Sequence, residues 1–218
     1  MAEDKISQFV NQLRKEYSLQ SLDEAHVENN PIKQLEKWLI HALEINAKEP
    51  NAMVLCTVDK DAKPSSRIVL LREFDENGLG FYTNFESRKG REMSDNKNVC
   101  LNFFWPELER QIRVEGTVEK QKEEVSDSYF ASRPSASKIG AWASAQSSKI
   151  PNREVLENQF NNQSARFENK EISRPPFWGG FLVKPTYFEF WQGRPSRLHD
   201  RICYELINND WQISRLSP

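Results

Sequence analysis

The feature that most constrains the fold is a series of short strand-like segments separated by gaps of turn length. Residues 53–58 form one apolar run, residues 66–72 form a second, and Asn77-Gly78 is a strong hairpin signal before a third at 79–83. Later segments of this kind lie at 99–105, 111–119, 178–183, 187–191, 202–207 and 211–215. The gaps between the central segments are too short for the crossovers of a parallel sheet. We therefore expect a closed antiparallel barrel decorated with helices.

Two helical patterns precede the first strand. Apolar residues recur at helical spacing over 6–17 and again from Pro31 onward, with a polar loop at 18–30 between them. The period changes near residue 50. We expect an N-terminal helical segment at 1–48, followed by one barrel domain at 49–218 that carries inserted helices and C-terminal dimerisation strands.

Shorter helical patterns interrupt the strands. Ser87 is a candidate N-cap for a short helix that begins at Arg88. Residues 122–132 and 153–167 are also helical in pattern, whereas the Ser- and Ala-rich run that follows Arg133 is predicted to form a loop.

Composition excludes several classes of protein. A net charge of −2 over 218 residues argues against a general nucleic-acid-binding surface. The three histidines share no ligand spacing, so a metal site is not expected. Three widely separated cysteines without a Cys-x-x-Cys motif, and no apolar run of membrane-spanning length, predict a cytoplasmic protein.

The segment 191–201 is the most informative for function. It carries Arg194, Arg197, Arg201, a histidine and an aspartate in a loop that contains Gly193 and Pro195. Several guanidinium groups close together suit a flat anionic ligand, because arginine can donate two parallel hydrogen bonds to the oxygens of an anion and can also stack on an aromatic ring. A solvated basic loop is the commoner explanation for such a segment taken alone, but further basic clusters upstream favour a ligand.

Two of these clusters lie upstream, around the second and third strands. Arg67 and Arg72 bracket four apolar residues, and a spacing of five would place them on opposite faces of a regular strand, where they could serve two different anions. Surface ion pairs are the simpler alternative. Arg88 and Lys89 lie in a first helical turn, where cations oppose the helix dipole unless an anion binds between them.

A third cluster follows the helical pattern at 122–132. Tyr129 and Arg133 are four residues apart and therefore neighbours on one helical face, and Ser137 lies nearby, so the three form a candidate phosphate clamp. Gln146 and Ser147 add polar donors, although a plain Ser/Ala loop explains that run equally well. No nucleophile motif, P-loop or Gly-x-Gly-x-x-Gly is present, so demanding chemistry would have to come from an organic cofactor.

Together these segments resemble the pyridoxine 5′-phosphate oxidase family of flavin enzymes. The motifs that carry the resemblance run over nearly the whole chain and are Arg67-Ile68-Val69-Leu70-Leu71, Phe81-Tyr82-Thr83-Asn84, Ser87-Arg88-Lys89, Glu109-Arg110-Gln111, Ser132-Arg133-Pro134, Ile139-Gly140-Ala141-Trp142, Gln146-Ser147-Ser148, Phe177-Trp178-Gly179-Gly180 and the 191–201 loop. The resemblance implies a mainly β protein with an FMN-binding split β-barrel, antiparallel and of Greek-key type, with peripheral helices. It also implies a homodimer with FMN at the subunit interface.

The resemblance further implies which residues bind. For FMN these are Arg67, Ile68, Val69, Leu70, Leu71, Arg72, Tyr82, Thr83, Arg88, Lys89, Gln111, Gln146, Ser147, Trp191 and Arg201. For the substrate they are Arg14, Lys15, Glu16, Tyr17, Arg72, Tyr129, Arg133, Ser137, Arg197, Leu198 and His199, of which Arg197 and His199 are the catalytic residues.

The implied reaction is the oxidation of pyridoxine 5′-phosphate or pyridoxamine 5′-phosphate to pyridoxal 5′-phosphate. A hydride would pass from substrate C4′ to flavin N5, and O2 would reoxidise the flavin and yield H2O2. Arg14 and Tyr17 would belong to a lid over the substrate; a frayed terminus is the alternative. One departure from the family is Arg72, since this position is usually lysine there.

Two functions of other classes stay open. A non-catalytic flavin- or haem-binding split-barrel protein would share the fold, but it would need no second phosphate site beside Tyr129 and Arg133. A nucleic-acid-binding barrel is disfavoured by the net charge and by clusters that suit compact anions.

Overall fold

The chain is mainly β in a computed structural model that describes residues 16–218 together with Ile6, Phe9, Val10, Gln12 and Leu13. The strands are β1 (Ala52–Val58), β2 (Pro64–Leu70), β3 (Glu73–Asp75), β4 (Gly78–Asn84), β5 (Asn98–Trp105), β6 (Arg110–Lys120), β7 (Trp178–Gln192), β8 (Asp200–Ile207) and β9 (Asp210–Arg215). The α-helices among the residues from 16 onward are α1 (Pro31–Glu44), α2 (Arg88–Asp95), α3 (Glu123–Ser132), α4 (Ser135–Ala143) and α5 (Arg153–Arg166). Short 3₁₀ turns lie at Glu24–His26 and Pro195–Arg197.

The nine strands form one sheet. Its hydrogen-bonded order is β2-β1-β5-β6-β7-β4-β3, and β8 pairs with β7 and with β9. The pairs β1–β2, β1–β5, β3–β4, β4–β7 and β8–β9 are antiparallel, and the short connections predict this for β1–β2, β3–β4 and β8–β9. The order ends at β2 and β3 rather than returning on itself. The expectation of a closed hydrogen-bonded barrel is therefore wrong, and the sheet is split between these two strands.

Local signals place several elements correctly. Asp75 pairs with Gly78 across the predicted hairpin, and Gly78 has a φ of 143°, a conformation that favours glycine. The Ser87 side chain accepts a hydrogen bond from the backbone N–H of Gly90 at 3.2 Å, so Ser87 is the N-cap of α2 as predicted.

Two element predictions are wrong. The segments 178–183 and 187–191 are one continuous strand, β7, which runs through Pro185. The run after Arg133 was expected to be loop, but it forms helix α4, which follows Pro134 directly. Proline before a first helical turn is well tolerated, because the N–H groups of that turn have no partner within the helix.

The chain divides into two compact units. The first contains the described residues up to Lys48 with Phe104–Ile112 and Phe188–Pro218, and the second contains Glu49–Phe103 and Arg113–Tyr187. The division into an N-terminal segment at 1–48 and a barrel domain at 49–218 stays a prediction.

Each unit has its own core. In the first unit the buried face of α1 packs on the sheet, and the Trp38 ring lies edge-to-face on Phe190 with centroids 5.2 Å apart. Phe190 in turn contacts Tyr204 at 5.5 Å. In the second unit alternate residues of the strands point inward, and the most deeply buried of them include Met53, Leu55, Phe81, Leu101 and Phe103.

Candidate active site

The second unit contains a cavity of about 450 Å³ in which most of the predicted FMN residues meet. Its walls come from the end of β2, the end of β4, the start of α2 and the end of α3. It is lined by Arg67, Ile68, Val69, Leu70, Arg72, Tyr82, Thr83, Lys89, Tyr129, Arg133, Gln146 and Trp178. Its volume is in the range of small-molecule sites, and four of its lining residues are cationic.

Arg67 and Arg72 border this same cavity. The prediction that they lie on opposite faces of one strand is wrong, because β2 ends at Leu70 and Arg72 lies in the connection to β3. The backbone N–H of Arg72 donates to the carbonyl of Gly80 at 2.9 Å. Its exposed guanidinium lies 6.0 Å from the ring centre of Tyr129.

Lys89 contacts two of the other predicted FMN residues. Its Nζ donates to Thr83 Oγ1 at 3.1 Å and to Gln146 Oε1 at 2.7 Å. Burial and the nearby charge of Arg67 lower the pKa of Lys89 to about 8. A lysine in the first turn of a helix is well placed to bind an anion. The bound negative charge would stabilise the protonated form, which burial disfavours in the free protein.

Stacked aromatic rings also line the cavity. The rings of Tyr82 and Tyr129 are 3.8 Å apart and nearly parallel, and Trp178 is parallel to Tyr129 at 6.2 Å. The Tyr82 hydroxyl donates to Glu73 at 2.9 Å. Burial, with the hydrogen bond to Glu73 and its charge, raises the pKa of Tyr82 well above its ordinary value, so this phenol stays protonated. Sequence reasoning did not single out Trp178 as a site residue.

Arg133 borders the cavity with a guanidinium that the protein satisfies only in part. Its guanidinium lies over the Trp178 ring at 4.6 Å, and its Nη1 is buried without a hydrogen-bond partner. Burial lowers the pKa of Arg133. Unpaired buried donors are uncommon because they lose their hydrogen bonds to water without replacement. An anion at Nη1 would supply the missing acceptor, and the role of Tyr129 and Arg133 as a phosphate clamp stays a prediction.

Four predicted residues of the second unit do not line the cavity. Ser137 is exposed on α4, where its N–H donates to Pro134 O at 2.9 Å. Leu71 is buried, Ser147 is exposed in a turn with a φ of 71°, and Arg88 pairs with a glutamate on its own helix. Their assigned roles in binding stay predictions.

The first unit has a separate pocket that joins four predicted substrate residues. Glu16, Tyr17, Arg197 and His199 line it, and its other lining residues are Leu13, Arg194 and Ser196. The Tyr17 ring lies edge-on to Trp191 at 5.6 Å and to His199 at 5.8 Å. Arg14 and Lys15, also predicted to bind substrate, lie outside the described residues.

The loop that bears Arg197 is held in an unusual conformation. Ser196 and Arg197 have positive φ values of 56° and 61°, which cost free energy for residues other than glycine. The backbone N–H of Arg194 donates to His199 Nδ1 at 3.1 Å, so Nδ1 carries no proton and the ring proton lies on Nε2. Burial and the charge of Arg197 lower the pKa of His199. Leu198 is 70% exposed.

Three predicted FMN residues belong to the first unit. Arg201 forms a two-pronged ion pair with buried Glu189, at 2.8 Å and 3.0 Å. Trp191 is half-buried against His199 with ring centres 4.6 Å apart, and Gln111 is half-buried on β6. These three residues do not line the cavity of the second unit.

Sequence reasoning missed an important carboxylate in the first unit. Glu109 is buried, and its Oε2 accepts the backbone N–H groups of Ser18 at 2.9 Å and Leu19 at 3.1 Å. Its carbonyl oxygen accepts the N–H of Gly193 at 2.8 Å. A Cβ at Gly193 would meet the Tyr17 side chain at 2.7 Å, so the glycine leaves the room that Tyr17 occupies. The only sequence signal was its position in the Glu109-Arg110-Gln111 motif.

Among the described residues, no group of three or more His, Cys, Asp or Glu side chains is arranged to hold a metal ion. No helix within that part of the chain is long and apolar enough to cross a membrane.

Two family models match the chain. One is described as pyridoxamine 5′-phosphate oxidase and matches residues 41–164, and the other is described as the pyridoxine 5′-phosphate oxidase C-terminal dimerisation region and matches residues 178–218. Proteins named pyridoxine/pyridoxamine 5′-phosphate oxidase are close relatives. The one from Nostoc punctiforme is 53% identical over 96% of this chain and 98% of its own length. The one from Cyanothece sp. is 49% identical over the same shares.

Solved structures have the same fold. PhzG from Burkholderia lata, in complex with tetrahydrophenazine-1-carboxylic acid, has a TM-score of 0.86 at 30% identity and covers 92% of this chain and 100% of its own. A pyridoxamine 5′-phosphate oxidase-related, FMN binding protein from Nostoc punctiforme has a TM-score of 0.69 at 16% identity over 88% of this chain and 100% of its own. The predicted fold class, a mainly β split barrel with peripheral helices, is confirmed. The chain belongs to the pyridoxamine 5′-phosphate oxidase family.

Proposed function

We propose that this chain is an FMN-dependent oxidase that converts pyridoxine 5′-phosphate or pyridoxamine 5′-phosphate to pyridoxal 5′-phosphate, in the cytoplasm. The names of the relatives at about 50% identity support the substrate class. The observation that carries the proposal is the cavity of the second unit, where Arg67 and Lys89 border one part and Arg133, with an unpartnered buried Nη1, borders another. Separate cationic groups in one cavity are suited to two phosphorylated ligands.

The residues present fit FMN. Arg67 and Lys89 supply positive charge at the N-terminus of α2, where a phosphate is favoured. Ile68, Val69 and Leu70 border the cavity and offer a surface for a flat ring system, while Thr83 and Gln146 provide polar contacts. When bound, FMN would accept a hydride at N5 from substrate C4′ and pass the electrons to O2, giving H2O2.

The chain's own residues would bind and orient the substrate. Arg133 would hold its phosphate, with Tyr129 beside it on the same helix end. In the pocket of the first unit, His199 has Nε2 as a hydrogen-bond donor, and Arg197 presents a positive charge to a polar substrate group. Neither side chain forms a covalent bond in this scheme, so rate acceleration comes from orientation and electrostatics.

The remaining predictions belong to the same proposal. We propose a homodimer with FMN at the subunit interface, supported by the match of residues 178–218 to a dimerisation region. Residues 1–48 are proposed to include a substrate lid, supported by the position of Tyr17 beside His199.

Oxygen uptake tests this function directly. Purified protein reconstituted with FMN should be yellow, and it should consume O2 with pyridoxine 5′-phosphate or pyridoxamine 5′-phosphate. Unphosphorylated pyridoxine should give little uptake, because it lacks the group that Arg133 would bind. Protein that takes up no FMN, or that oxidises both forms equally well, would contradict the proposal.

A further inference from the structure

Glu92 is a buried carboxylate at the centre of the cationic cluster. It lies on α2, its side chain is only 5% exposed, and it does not line the cavity itself. Oε1 accepts a hydrogen bond from Arg88 Nε at 2.7 Å, and Oε2 lies 3.3 Å from Arg67 Nη2. One carboxylate therefore joins two arginines of the predicted FMN set, one on a strand and one on a helix.

Two hydroxyl groups complete the shell of this carboxylate. Thr57 and Ser65 donate to Glu92 Oε2 at 2.5 Å and 2.7 Å. Burial by itself raises the pKa of Glu92, but these hydrogen bonds and the one from Arg88 outweigh burial and lower it to about 2. Glu92 is therefore ionised at any pH at which the protein would work.

The same groups fix the orientation of Arg67. Its Nη1 donates to Thr57 Oγ1 at 2.5 Å and to the carbonyl of Leu55 at 3.1 Å, and its Nη2 donates to Ser65 Oγ at 2.5 Å. Leu55 and Arg67 are opposite each other in the β1–β2 ladder. A flexible arginine loses side-chain entropy when it binds an anion, and an arginine that is already held loses less.

The charge balance of the cluster suits a phosphate monoester. Arg67, Arg88 and Lys89 lie close together, and Glu92 is the carboxylate that two of them contact. The excess of two positive charges matches the charge of about −1.5 to −2 on a phosphate monoester at neutral pH. Without Glu92 the three cations would repel one another before the ligand arrives.

We propose that Glu92 is a positioning residue of the cofactor site, which holds Arg67 and Arg88 in the geometry that receives the phosphate of FMN. The inference rests on the proposed function, since it takes FMN to be the ligand. It assigns Glu92 an effect on the phosphate group and none on the isoalloxazine ring.

Two other roles for Glu92 make different predictions. If Glu92 only anchors α2 to the sheet, its loss should weaken the binding of every ligand of the cavity by the same factor. If it acts only as an unfavourable negative charge near the phosphate, its loss tightens FMN binding. A comparison of FMN with riboflavin, which has the same ring but no phosphate, separates all three.

The test uses apo-protein titrated with each flavin, with flavin fluorescence as the signal. Glu92→Gln removes the charge and turns an amide N–H₂ toward groups that are themselves donors. We expect the Kd for FMN to rise at least about tenfold, since charge-assisted hydrogen bonds to two arginines are lost. The Kd for riboflavin should change less than about twofold. Glu157→Gln is the matched control, because Glu157 forms the same i,i+4 pair with Arg153 at 2.7 Å on α5.

A second variant covers the case in which Glu92→Gln does not fold. Ser65→Ala removes the hydroxyl that contacts both Glu92 and Arg67, and Ser65 is half-buried on β2. It should weaken FMN binding by a smaller factor with the same selectivity over riboflavin. Three results would overturn the inference: equal losses of affinity for both flavins, tighter FMN binding, or an unchanged FMN affinity in both variants. In each case the proposed function would stand as long as the wild-type protein binds FMN. Wild-type protein that binds no FMN would overturn both together.

Discussion

The backbone N–H of Arg194 donates a 3.1 Å hydrogen bond to Nδ1 of His199, and this contact closes the loop that carries Arg197. It requires an unprotonated Nδ1, so the loop conformation and the protonation state of one imidazole are linked. The pKa of His199 is also lowered, which favours the same unprotonated ring. Burial and the charge of Arg197 both disfavour the imidazolium.

This linkage gives a prediction for pH. In the unfolded chain a histidine takes up its proton near the ordinary pKa of 6.5, whereas folded His199 does so only at lower pH. The stability that the loop contact contributes should therefore be complete above pH 6.5 and should be lost as pH falls through the folded pKa of His199. NMR of the imidazole nitrogens should show the proton on Nε2 at pH 7.5; a proton on Nδ1 at that pH would contradict this arrangement.

Substitution of Arg197 should separate turnover from cofactor retention. Arg197 is exposed and lines the pocket of the first unit, and it is not among the residues that line the cavity with Arg67 and Lys89. We expect Arg197→Ala to lower kcat/KM by about 100-fold or more, as the loss of a charge aimed at the reacting substrate does in other enzymes. FMN content after gel filtration should match wild type. A parallel loss of both would show that Arg197 holds the cofactor.

Arg133 should act mainly on substrate binding. Its buried Nη1 has no protein partner, so a phosphate would supply the missing acceptor. Arg133→Ala should raise the KM for pyridoxine 5′-phosphate by about 10- to 100-fold, with a smaller change in kcat.

A matched control exists for this substitution. Arg166 also lies over a tryptophan ring, that of Trp142 at 4.8 Å, but it does not line the cavity. Arg166→Ala should leave KM unchanged. If both variants raised KM equally, the loss of a cation–π contact rather than of a phosphate ligand would explain the result.

Lys89 should make FMN affinity depend on pH. Its pKa is about 8 in the protein without ligand, and binding of a phosphate favours the charged form and so raises it. FMN affinity should therefore be constant below pH 8 and should fall as pH rises above that value, by up to about tenfold per unit. Equilibrium dialysis between pH 7 and 9.5 measures this. Lys89→Met should bind FMN more weakly and should lose most of the slope; an equally steep slope in the variant would assign the titration to another group.

Much of the fold follows from local sequence signals. The Asn77-Gly78 turn, the Ser87 cap, the apolar run of β1 and the alternation of apolar residues in β6 depend only on residues that are close along the chain. The physical preferences behind them, which are backbone conformation, capping and side-chain period, act over one or two turns.

Element boundaries needed longer-range information. Lys184 and Pro185 suggest a break between two strands, because proline donates no hydrogen bond to a ladder. In the folded protein β7 continues through them, as partners on other strands hold the chain on both sides of Pro185. Helix α4 was missed for a similar reason, since its serines have low helix propensity and its packing against α5 was not visible in the pattern.

The amino-acid sequence by itself determined which cations are available and that they occur in clusters. Only the tertiary structure decided which of them share a partner. Glu92 contacts Arg67 from 25 positions along the chain, and Glu109 accepts a hydrogen bond from the backbone N–H of Ser18, which lies 91 positions away. Trp178 likewise meets Arg133 through folding alone. Local preference acts between neighbours along the chain, whereas the burial of a carboxylate between two arginines depends on how distant strands and helices pack.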